Sequence, residues 1–137
     1  MAMINRFDMM QDIERILVTE EEIHARIREV GKQIAEDYRG KRPILVGVLK
    51  GVVPFFAEMA AAIDIPVQED FMCVTSFEGG TASTGKLTFR KDIDHDIEGR
   101  DVIILEDIID SGSTLRLIVD LFRQRKPNSV KICTLLD

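Results

Sequence analysis

The chain has 137 residues, 45% hydrophobic and 31% charged, with a formal net charge of −6. That length holds one domain with a real core and not two, and the composition is globular, not disordered. An acidic balance without Lys and Arg clustered among aromatics argues against nucleic acid as a partner, because phosphates need a basic face.

Met1 to Asp12 lacks the basic-then-apolar build of a signal peptide. The most apolar stretch, Val52 to Ile65, carries Pro54, Glu58 and Asp64 and is too short to span a bilayer. Cys73 and Cys133 each sit in an apolar, strand-like run and read as reduced core residues. A cytoplasmic location and no membrane partner are therefore expected. Met9 and Met10 read as core or dimer contacts without a function of their own.

Thr19 followed by Glu22 is a capping-box pattern, and Ile23, Ile27, Val30 and Ile34 recur at helical spacing. This helix is expected to stop near Gly40, with Pro43 just beyond. Ile44 to Leu49 reads as a buried strand, and a helix follows Pro54 on Phe55, Met59, Ala62 and Ile63. Phe71 to Phe77 is a strand, residues 78–85 are a polar loop, and Leu87 begins a further strand. Asp92 to Glu98 reads as a solvated acidic turn, with His95 in it, like His24 on the first helix, a surface histidine. Val102 to Leu105 is the most strand-like segment. Leu115, Ile118, Val119 and Phe122 then mark an amphipathic helix, and Val130 to Leu136 reads as a strand buried on both faces. Strands alternating with amphipathic helices predict an α/β fold, a mainly parallel sheet flanked by helices, in one domain over residues 1–137. With nothing after Asp137 to cover the last strand, the sequence reads as a domain cut short at its C-terminus.

In open α/β sheets ligands bind at the carboxyl ends of strands. Here that end holds Glu106 and Asp107, followed by Asp110, Ser111, Gly112, Ser113 and Thr114 opening a helix. Gly112 permits tight backbone geometry, three hydroxyls are at hand, and the positive end of the helix dipole lies behind them. That is a phosphate cradle without a lysine. The two carboxylates only accept hydrogen bonds when ionised, so they suit sugar hydroxyls or a metal ion. Adjacent strand residues point to opposite faces, so both meet one ligand only if the strand ends there. Phosphate beside hydroxyls describes a ribose 5-phosphate.

The full run from Val102 to Leu115, VIILEDIIDSGSTL, resembles the phosphoribosyl-diphosphate signature of type I phosphoribosyltransferases. In their hypoxanthine/guanine branch it ends in Asp-(Ser/Thr)-Gly-x-Thr. Leu45 to Gly51, LVGVLKG, resembles that branch's diphosphate loop, in which the peptide matching Leu49–Lys50 is cis. Glu69 to Met72 with Ser76 and Phe77 resembles the strand and start of a mobile lid, and Ile132 to Asp137 the last core strand. Phe77 departs from the family's usual Tyr.

The resemblance implies a magnesium-dependent purine salvage enzyme that transfers phosphoribosyl from phosphoribosyl diphosphate to hypoxanthine or guanine. Asp110 is then the base for the purine proton, with modest burial expected to help it. Glu106 and Asp107 orient the ribose and serve Mg2+, Ser111 to Thr114 hold the 5-phosphate, Lys50 and Gly51 take the diphosphate, and Ser76, at the start of the lid, also binds phosphoribosyl diphosphate. The family forms homo-oligomers, dimers or tetramers. Its base-binding segment has no counterpart here, so the chain alone is expected to bind phosphoribosyl diphosphate without efficient purine turnover. A regulator that senses phosphoribosyl diphosphate without turnover is the alternative on the same fold. The presence of Asp110 and the acidic charge favour the enzyme.

Two other patterns are set aside. Gly80 to Lys86 fits the start of a Walker A motif, but Leu87 takes the Ser/Thr position and the residues after it alternate like a strand. Asp92, Asp94, Asp96 and Glu98 resemble a calcium loop, but Ile97 and Ile103 stand where such a loop needs Gly and Glu.

Overall fold

The computed structural model describes residues 13–76 and 87–136. Helix α1, Glu20–Asp37, opens on the expected capping box: Thr19 Oγ accepts from the Glu22 amide at 3.2 Å, and the Glu22 carboxylate accepts from the Thr19 amide at 2.8 Å. Beyond its end, Gly40 takes a positive φ of 75°. Strand β1 is Ile44–Val48, and α2, Val53–Ala62, starts with a proline in its first turn, where the missing N–H costs nothing. Strands β2, Gln68–Ser76, and β3, Leu87–Lys91, form an antiparallel pair. Strand β4 is Asp101–Ile108, α3 is Ser113–Gln124, and β5 is Ser129–Leu136.

The five strands lie in the order β3-β2-β1-β4-β5, with β1 parallel to both β2 and β4, and β4 parallel to β5. Alternate residues of β1 and β4 point to opposite faces and build two cores. Leu45, Ile103 and Leu105 pack under α1 and α2 with Ile27, Phe55 and Met59. Ile44, Val46, Val102 and Ile104 pack under α3 with Leu115, Ile118 and Phe122. Burying each such side chain stabilises by about 1.5–3 kcal/mol before entropy is counted. Helices α1 and α2 cross at Gly31, where a Cβ would stand 2.7 Å from the Ala62 carbonyl oxygen. This is the predicted α/β architecture. No helix among the described residues is long and apolar enough to cross a membrane.

Three expectations change. Strand β5 is not buried on both faces, because it is the sheet's edge: Ile132 and Leu136 are 45% and 41% exposed. Cys133 and Leu135 pack against the α1–α2 core, and both Cys73 and Cys133 are free thiols, with burial pushing that of Cys133 up. The acidic turn is not simply solvated. Asp92 is held by the Arg125 guanidinium through two bonds, at 3.0 and 2.6 Å, and Asp94 pairs with Lys91 at 3.1 Å. Nor is His95 a bare surface histidine, since its Nδ1 lies 2.7 Å from the buried carboxylate of Asp70. His24 does lie at the surface, between Glu58 and Glu20.

The loop at 78–85, Phe77, the Walker-like residues 80–86 and Asp137 lie outside the described residues. Leu87 opens β3, a strand and not the helix that a Walker A loop must lead into.

Candidate functional site

The chain leaves β1 toward β2 on one side, while β4 lies on the other side of β1. The carboxyl ends of β1 and β4 therefore meet where the strand order reverses, the usual place for a ligand in an open α/β sheet. Two loops rise there.

The first is Leu49 to Val52. The Leu49–Lys50 peptide is cis, as the resemblance implied. The Leu49 amide donates to the Met72 carbonyl at 2.9 Å, which ties the loop to β2, and the Lys50 side chain is exposed. A side chain on Gly51 would displace a neighbour. A Cβ on it would stand 2.7 Å from Asp107 Oδ2.

The second begins at the end of β4. Glu106 follows the face of Ile104, toward α3, and Asp107 the face of Leu105, toward α2. The strand continues to Ile108, so the acidic pair does not sit past its end but straddles it. The Ile108 amide donates to Asp107 Oδ1 at 3.0 Å, which leaves Oδ2 over Gly51. The two carboxyl groups still interact. Burial, with the hydrogen bond and charge of Asp107 adding to it, pushes Glu106 up to about 7.

Past Ile109 the chain turns through Ser111 and Gly112, and Gly112 caps α3 from the left-handed region, φ 70°, where a side chain would be strained. No side chain caps the helix start; instead the Ser111 hydroxyl accepts from the Ser113 amide at 3.4 Å and donates to Ser113 Oγ at 3.1 Å. The loop walls a cavity of about 260 Å3 lined by Glu106, Ile108, Ile109, Asp110, Ser111 to Thr114 and Leu115. Hydroxyls and a helix N-terminus on one side, a half-buried carboxyl on the other, suit a phosphate attached to a polyol.

Asp110 is exposed at the mouth of this cavity, so the burial expected to help it is not there. The burial falls on Glu106 instead. Ser76 ends β2, next to β1, and its backbone pairs with Leu87. Ile108 was not singled out from the sequence. It is 57% exposed, an apolar ledge beside the cradle, and its place in an apolar run gave no sign of that. A larger cavity, about 750 Å3, lies between α1 and β5. Asp101 on its wall is engaged by Asn128 and Ser129 at 2.7 and 2.6 Å.

The phosphoribosyl transferase domain model matches residues 17–137. The chain belongs to the phosphoribosyl transferase family. It is 50% identical over 127 residues to the hypoxanthine-guanine phosphoribosyltransferase of Streptococcus pyogenes, a match covering 93% of this chain and 71% of that protein. The protein of the same name from Streptococcus mutans is 52% identical over the same length and shares of the two chains. A solved hypoxanthine phosphoribosyltransferase from Staphylococcus aureus superposes with a TM-score of 0.87 at 42% identity, over 93% of this chain and 69% of that one. The fold is thus that of the type I phosphoribosyltransferases.

The state of Glu106 has a measurable consequence. Its folded pKa lies above the unfolded value of 4.5, so the folded state binds the extra proton and stability falls as pH rises from 4.5 to about 7. Glu106→Gln is expected to flatten that slope in metal-free protein and to stabilise it above pH 7 by about 1 kcal/mol, after discounting for solvent screening. Thermal melts of both forms across this range check it.

Proposed function

We propose that the chain is a purine salvage phosphoribosyltransferase, transferring phosphoribosyl from phosphoribosyl diphosphate to hypoxanthine or guanine, with release of diphosphate and formation of the nucleoside monophosphate. The observation that carries this reading is the approach of Asp107 to Gly51, which brings the loop after β1 next to the acidic pair whose other member, Glu106, lines the cavity at Ser111 to Thr114. The names of its relatives support the choice of a 6-oxopurine.

In this reading the amides and hydroxyls of Ser111, Gly112, Ser113 and Thr114 hold the 5-phosphate against the positive end of α3. Glu106 and Asp107 accept from the ribose hydroxyls. Lys50, the backbone at Gly51 and Ser76 receive the diphosphate, whose negative charge grows as it leaves. The purine nitrogen attacks the anomeric carbon, the bond to diphosphate breaks, and the nitrogen's proton passes to the Asp110 carboxylate. Solvent at Asp110 lets that proton leave afterwards. Ile108 offers its apolar surface to the face of the base.

The donor set fits Mg2+. That ion takes one or two carboxylates and completes its shell with phosphate oxygens and water. Glu106 and Asp107 are two adjacent carboxyl groups, and among the described residues no cluster of three or more acidic, His or Cys ligands could cage a cation alone. The ion would supply positive charge to the leaving diphosphate. The acidic net charge argues against a nucleic-acid partner, and a cytoplasmic homo-oligomer, dimer or tetramer, is the expected form.

The test is direct. In the full-length enzyme, with Mg2+ and phosphoribosyl diphosphate, hypoxanthine or guanine is expected to give diphosphate release coupled to nucleotide formation, and adenine is not. Binding of phosphoribosyl diphosphate by the full-length protein without nucleotide formation from any purine would instead favour a sensor.

A further inference from the structure

The contact between Gly51 and Asp107 joins two loops that chain order keeps far apart. Asp107 Oδ1 is fixed by the Ile108 amide at 3.0 Å, and Oδ2 lies 2.7 Å from the position a Cβ of residue 51 would take, with Cγ at 3.4 Å from that point. No other described residue lies that close to it. The carboxylate on the ribose side of the cleft therefore takes its orientation from its own strand and its Glu106 neighbour and, across the site, from the bare Cα of the opposite loop.

We propose that Gly51 is a positioning residue for the ribose side of the site, seating the Asp107 carboxylate as well as lending its backbone to the diphosphate loop. The claim rests on the proposed function for the identity of the ligands, and deepens it. Its physical basis is a choice of what yields. A methyl group at residue 51 meets the end of one side chain and no backbone, so the fold accommodates it. What must move is Oδ2, and with it the acceptor direction offered to the ribose hydroxyls. Alanine keeps the amide N–H, so a role confined to the diphosphate would survive the substitution.

Two probes separate these roles: pyrophosphate, which lacks ribose, and GMP, which lacks the diphosphate. Calorimetry on the intact chain with Mg2+ would use wild type, Gly51→Ala, Asp107→Ala and the double variant. Gly51→Ala is expected to weaken GMP by about tenfold while leaving pyrophosphate within about threefold, with an unchanged circular dichroism spectrum. In the Asp107→Ala background the same substitution is expected to weaken GMP by less than about twofold, because the displaced carboxylate is gone. GMP binding unaffected by Gly51→Ala, or weakened equally in both backgrounds, overturns the inference. Wild type that binds neither probe overturns the proposed function itself.

Discussion

In the full-length enzyme, Asp110→Asn is expected to lower turnover by a factor on the order of 10² to 10⁴, the usual loss when an acid–base group is removed. Its affinity for phosphoribosyl diphosphate should change far less. The substitution keeps the shape and one acceptor oxygen but cannot take up a proton. The cradle it borders is built from the hydroxyls of Ser111 and Ser113, the left-handed turn at Gly112 and the start of α3. None of these passes through the Asp110 carboxylate among the described bonds. Steady-state kinetics with both purines, beside calorimetry with phosphoribosyl diphosphate, read the two quantities separately. Equal losses in both would make Asp110 a substrate-positioning group and remove it as the base.

The features legible in the sequence are those whose physics is local. The capping box of α1, the strand at Val102 to Leu105 and the amphipathic stripe of α3 rest on neighbours within a few residues, and all three stand in the structure. So does the turn at Gly112, because only glycine takes that backbone conformation without strain. The exposure of β5 was not legible. Its apolar run matches that of a buried strand, and only the strand order makes it an edge. Nor could sequence divide the acidic pair. The alternation of β4 sends Glu106 to the side of the 111–114 loop and Asp107 to the side of the 49–52 loop, and this depends on where β4 stops.

That division changes how the site works as a unit. A single acidic patch past the strand end would present both carboxylates to one ligand edge. A straddling pair instead gives each loop a carboxylate of its own, while burial, with the interaction between the two adding to it, pushes Glu106 up to about 7. Ligand hydroxyls entering between the loops would exchange the Glu106–Asp107 contact for contacts with each. The exposed Asp110 lies outside this pair, close enough to line the same cavity and open enough to trade protons with water.

Away from the cleft, Asp70→Ala is expected to be the most destabilising of these single changes, by about 3 kcal/mol and roughly 10 °C in Tm. Asp70 is 4% exposed on β2. Its Oδ2 accepts from the Asp94 and His95 amides, each at 2.9 Å, and from the His95 ring at 2.7 Å, while Oδ1 accepts from the Phe71 amide at 2.8 Å. Lys91 Nζ stands 3.7 Å from Oδ1. One carboxylate thus pins the turn after β3 to the middle of β2, and alanine would leave these donors facing a cavity. Burial alone would raise the pKa of Asp70, but the amide and ring of His95 and the amides of Phe71 and Asp94 outweigh it and hold the carboxyl below its ordinary value of 3.8. A folded pKa below the unfolded one gives stability that is full above 3.8 and lost as pH falls through the folded value. Wild type and Asp70→Ala should therefore differ most near neutral pH and converge in acid. Urea denaturation at a series of pH values measures this gap, and a gap that stays constant into acid would mean that packing, and not the charge-assisted bonds, is what Asp70 contributes.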